Sequence, residues 1–147
     1  MRVALVSSLL GFTLIAAACS GGGSGVLEVT DSWAPTTPPG APTAAVYLTI
    51  DNGTDDDDRL VSVSTDRCGT IELHATQIDE NRIMRMRLAE PKLLTIPAGE
   101  TLEMIPGGLH VMCIEPTSPF TDGEILNLVV SLESAGDLAI TTVVENR

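Results

Sequence analysis

Pro106-Gly107-Gly108-Leu109-His110-Val111-Met112-Cys113-Ile114 is a tight turn followed by an unbroken run of strand-forming residues. Side chains of a strand alternate between its faces, so His110 and Met112 point one way while Val111 and Cys113 point the other. An imidazole and a thioether then stand about 7 Å apart on one face, as the strand rise dictates. The rest of the chain repeats this grammar. Val46–Ile50, Leu60–Val63, Thr70–His74, Ile83–Leu88, Thr101–Ile105, Ile125–Leu132 and Leu138–Val144 are short and rich in β-branched residues. Turn-forming residues separate them at Asn52-Gly53, Asp79-Glu80-Asn81, Pro97-Ala98-Gly99, Asp122-Gly123 and Ala135-Gly136. No long stretch has helical periodicity. The pattern predicts a single all-β domain, a two-sheet sandwich or small Greek-key barrel, because each sheet must cover its apolar face with another. With one Trp, one Tyr and two Phe in the chain, its core is aliphatic.

Only two histidines occur, and methionines accompany both. His74 is followed by Met84 and Met86, which share a face opposite Ile83 and Arg85. The turn at Asp79-Glu80-Asn81 lets a hairpin bring His74 and Met86 together. Placing that hairpin beside His110 and Met112 would gather imidazoles and thioethers, soft neutral donors that select Cu(I) over hard cations such as calcium or magnesium. The competing reading is that the methionines are flexible core filler.

Cysteine offers a rival site. A blue-copper centre takes two histidines, a cysteine and a weak axial methionine, and the chain holds all these types. Alternation, however, turns Cys113 away from His110 and Met112, and the order differs from plastocyanin-like proteins, in which the cysteine precedes the last histidine. Apart from Cys19, the cysteines form an even pair in an exported chain, so a Cys68–Cys113 disulfide stapling neighbouring strands is expected, with free buried thiols as the alternative.

Export itself is read from the amino terminus. Met1-Arg2, the apolar run from Val3 and the small residues Ala16-Ala17-Ala18 form a signal peptide over residues 1–18, too short to span a bilayer well. Cys19 directly after it resembles the acylated cysteine of the bacterial lipobox, although Ala16 stands where that pattern prefers leucine; ordinary secretion is the alternative. Residues 19–25 then provide a lipidated cysteine and a Gly/Ser tether, and residues 26–147 the β-domain. The expected location is extracytoplasmic, with the lipid anchor as the sole membrane contact. Without the leader, seven basic side chains face twenty acidic ones, a balance that speaks against nucleic acid or anionic lipid as a partner. Asp55–Asp58 lacks the spacing of a calcium loop and reads as a solvated turn. No phosphate loop, nucleophile elbow or metalloprotease motif occurs, so no enzyme activity is expected.

Beyond these residue-level readings, the chain resembles a family. The segment Pro106-Gly107-Gly108-Leu109-His110-Val111-Met112, together with Ile71-Glu72-Leu73-His74 and Ile83-Met84-Arg85-Met86-Arg87, resembles the PCuAC family of periplasmic copper chaperones. Trp33-Ala34-Pro35, Pro38-Pro39-Gly40-Ala41-Pro42, Ala45-Val46-Tyr47-Leu48 and Ile96-Pro97-Ala98-Gly99 fit the same family. The resemblance implies a cupredoxin-like β-barrel with one solvent-near Cu(I) ion bound by His74, Met86, His110 and Met112. It also implies copper donor and acceptor proteins as partners, with delivery to respiratory oxidase copper centres.

Two departures from the family are visible. The optional methionine soon after the first histidine is missing, since Ala75-Thr76-Gln77 follow His74, and Met84 is the candidate replacement. The 23 residues between Met86 and His110 are more than the family usually has, and the extra length falls in Ala89–Thr95, a loop that tolerates insertion. The chain ends Glu145-Asn146-Arg147, without the Met- and His-rich tail of some relatives, so a second copper site is not expected. A metal-free β-sandwich scaffold or binding lipoprotein is the other functional class that fits.

Overall fold

The computed structural model describes residues 25–147. The signal peptide, Cys19 and all but the last residue of the tether lie outside the described residues. Ten strands occur among them: β1 (Leu27–Ala34), β2 (Thr43–Asn52), β3 (Asp58–Ser64), β4 (Cys68–Ile78), β5 (Met84–Leu88), β6 (Thr95–Ile96), β7 (Thr101–Glu103), β8 (Leu109–Pro116), β9 (Ile125–Leu132) and β10 (Gly136–Val144). A 3-10 turn at Pro91–Leu94 lies in the segment expected to be a loop.

The fold is all-β, and its strands follow the path β5-β4-β8-β2-β1-β10-β9-β3-β6, with β7 also on β2. Strand β2 belongs to both halves. Its first residues pair with β8, Ala45 opposite Met112 and Val46 opposite Val111. Its last residues pair with β7, Ile50 opposite Leu102. The sheet therefore folds over a single core, in which alternate residues of its central strands are buried: Val46, Leu48 and Ile50 from β2, Val111 and Cys113 from β8, and Leu126, Leu128, Val130 and Leu132 from β9. Each such aliphatic side chain contributes roughly 1.5–3 kcal/mol of burial, so the aliphatic interior suffices without aromatic bulk.

Two strands were not legible in advance. β1 carries a register shift between Val29 and Asp31 that breaks its alternation, and β6 has two residues.

The run of four aspartates also differs from expectation. Asp55, Asp56 and Asp57 are exposed, but Asp58 is buried. Its carboxylate accepts the backbone N–H groups of Arg59, Ser134 and Ala135 at 2.7, 2.9 and 2.9 Å, tying the start of β3 to the β9–β10 turn. Burial opposes the charged form, yet these donors outweigh it and hold the Asp58 carboxyl below the usual carboxylate range.

Candidate metal centre

The β4-β8 ladder decides which side chains meet. Ile71, Leu73 and Ala75 of β4 turn inward, which sends Glu72, His74 and Thr76 to the outer face. On β8 the inward residues Val111 and Cys113 leave His110 and Met112 on that same outer face. The antiparallel register sets His74 opposite His110 and Glu72 opposite Met112. Across the hairpin, Leu88 stands opposite His74, Met86 opposite Thr76, and Met84 opposite Ile78. Residues paired across a ladder share a face, so both imidazoles and all three thioethers lie on one side of the sheet.

A pocket of about 280 Å³ opens there, lined by Ala45, Tyr47, Thr76, Met84, Met86, Gly107, His110 and Met112. His74 borders the cluster without lining the pocket; its ring centroid is 6.0 Å from that of His110, edge to face. His110 is buried although it faces outward, because His74 and Tyr47 cover it, the latter at 6.4 Å between centroids. Its Nδ1 is 3.0 Å from Gly108 O. The same carbonyl accepts the Thr76 backbone N–H at 3.2 Å, so one turn anchors the hairpin and orients the imidazole. Gly107, at φ +78°, is what lets the chain make that turn. His74 Nε2 is 2.7 Å from Glu72 Oε2, whereas its Nδ1 is buried without a hydrogen-bond partner. Met84 and Met86 are 63% and 60% exposed, at the rim of the pocket.

Cys68 and Cys113 are joined in a disulfide. Cys113 is therefore no thiolate, and it lies on the core side of β8, away from His110; among the described residues a blue-copper centre has no thiolate to use. Among the described residues no group of three or more His, Cys, Asp or Glu side chains could hold a metal ion. The donor set that does converge is imidazole and thioether, and it fits a soft monovalent ion.

Tyr47, Thr76 and Glu72 escaped the sequence reading of the site. For Tyr47 the signal was present: in Ala45-Val46-Tyr47-Leu48 the alternation puts Ala45 and Tyr47 opposite the buried Val46 and Leu48. Burial raises the Tyr47 phenol above its ordinary value.

The β-domain has the fold of PCuAC domains. The chain belongs to the LpqE-like lipoprotein family, whose model matches residues 27–144. Among solved structures it is similar to the apo PCuAC domain from PmoF1, with a TM-score of 0.67 and 21% identity over 82% of this chain and 94% of that one. The copper-bound PCuAC domain from PmoF2 superposes with a TM-score of 0.64 and 22% identity over 82% and 93%. Cu(I)-bound DR1885 from Deinococcus radiodurans does so with 0.61 and 28% identity over 88% and 85%. No curated protein has a significantly similar sequence.

Proposed function

We propose that the domain is an extracytoplasmic Cu(I) carrier that binds one ion through His74, Met86, His110 and Met112, with Met84 as a further thioether within reach. The observation that carries this reading is the shared outer face: two histidines and three methionines, drawn from β4, β5 and β8, stand on one side of two adjoining ladders. Thioethers favour the reduced ion. An open pocket with flexible methionines at its rim suits transfer, because an acceptor can replace the protein's ligands one at a time. Two structurally similar proteins, the PmoF2 domain and DR1885, are copper-bound, which supports the same cargo here.

On this reading the protein hands copper to acceptor proteins and catalyses no reaction. Oxidase copper-centre assembly is the proposed destination, and acylation of Cys19 the proposed tether to the membrane. Competition titration against a chromogenic Cu(I) chelator tests the core of the proposal. One equivalent should bind, and X-ray absorption should count both sulfur and nitrogen neighbours. A metal-free scaffold would leave the chelator saturated.

A further inference from the structure

The two imidazoles present opposite nitrogens. His110 Nδ1 lies 3.0 Å from Gly108 O; a carbonyl only accepts, so this nitrogen carries the ring proton and the lone pair is on Nε2. His74 is arranged the other way round. Its Nε2 faces the Glu72 carboxylate at 2.7 Å, and its Nδ1 is buried with no partner. A proton on Nδ1 would be a buried donor left unmet, which is disfavoured. The proton therefore sits on Nε2, donated to Glu72, and the free lone pair is on Nδ1.

We propose that Glu72 is a positioning residue for copper: it holds His74 in the Nε2–H form, so that the buried Nδ1 of His74 and the Nε2 of His110 are the two nitrogen donors. The inference rests on the copper reading above and adds a residue and two donor atoms to it. Glu72 and His74 are two apart on one strand and share its outer face, and Glu72 is the register partner of Met112. The carboxylate thus stands beside the ligand cluster, engaged with the imidazole. A carboxylate behind a metal-binding histidine fixes its tautomer and ring orientation and raises its basicity.

Long-range proton–nitrogen NMR spectra of the metal-free, ¹⁵N-labelled protein at neutral pH report the tautomers directly. His74 should be protonated at Nε2 and bare at Nδ1, and His110 the reverse. Glu72→Ala should lose the His74 preference and weaken Cu(I) binding roughly 10–100-fold. Glu72→Gln, whose amide oxygen still accepts from Nε2–H, should keep the tautomer and recover most of the affinity. The Glu72 side chain is 37% exposed, so both variants should melt like the parent, and the spectra do not depend on copper. A proton on Nδ1 of His74 overturns the inference, as does Glu72→Ala binding copper as tightly as the parent or tighter, which would make the carboxylate a competitor for Nε2. Parent protein that binds no copper defeats the carrier reading as well, whereas a reversed tautomer with copper still bound defeats this inference alone.

Discussion

His74 and His110 stand directly opposite each other on neighbouring strands, with ring centroids 6.0 Å apart. Replacing both by alanine should reduce Cu(I) affinity by more than about 100-fold, since second-shell changes alone weaken metal binding roughly 10–100-fold. The domain should stay folded, because both side chains lie on the outer face of the sheet and the core behind them is untouched. Chelator competition and far-UV circular dichroism on the same sample check the two halves of this expectation.

The Cys68–Cys113 disulfide closes a loop with a sequence separation of 45 and links β4 to β8. A loop of that size corresponds to about 4 kcal/mol in the chain-entropy view, at the upper end of the typical 2–4 kcal/mol. The double Cys68→Ala, Cys113→Ala variant should therefore unfold at markedly lower urea, with the midpoint as readout. It should still take up one Cu(I), since Cys113 faces the core and the ligands face outward. Loss of copper binding in a folded double variant would revive a cysteine-ligated site.

How far the sequence reaches is clearest at the site. Alternation alone puts His110 with Met112, and Met84 with Met86, because those pairs lie within single strands. It does not say that His74 shares a face with Met86. That depends on the β4–β5 register, which a turn from Asp79 to Ile83 sets by pairing Ile78 with Met84. One residue more or less would invert one side of the hairpin relative to the other. Asp58 marks the other limit. Nothing in a run of four aspartates distinguishes the one whose partners, Ser134 and Ala135, lie more than 70 positions away.

That buried carboxylate makes a prediction about acid. The Asp58 pKa is lowered in the folded protein, so in the window below the unfolded value of about 3.9 the unfolded chain binds more protons. The stabilisation is fully present above that value and is lost as pH falls through the folded pKa. Asp58→Ala should remove it at every pH, destabilising the domain by about 2–4 kcal/mol at pH 7 through the unmet N–H groups of Arg59, Ser134 and Ala135. Urea midpoints of parent and variant, compared at pH 7 and near pH 3, should converge on acidification. A gap that stays constant would assign the loss to packing.

The exposed methionines separate copper binding from stability most cleanly. Met86 and Met84 are 60% and 63% exposed on the edge strand β5, so replacing either by alanine should change folding stability by no more than about 0.5 kcal/mol. Their effects on copper should differ. Met86 pairs with Thr76, next on the outer face to His74, whereas Met84 pairs with Ile78, a further two residues or about 7 Å along the strand. Met86→Ala should accordingly weaken Cu(I) binding about tenfold or more, which is about 1.4 kcal/mol, and Met84→Ala should weaken it less. If Met84 supplies a ligand in place of the methionine missing after His74, the sulfur count from X-ray absorption should fall by one in Met84→Ala as well as in Met86→Ala; an unchanged count would leave Met84 outside the coordination sphere. Mild peroxide should act like both substitutions together, because a sulfoxide replaces the soft thioether with a polar group. Copper release from the oxidised protein without a shift in its urea midpoint is the expected signature, and retention of copper after complete oxidation of Met84 and Met86 would show that neither sulfur holds the ion.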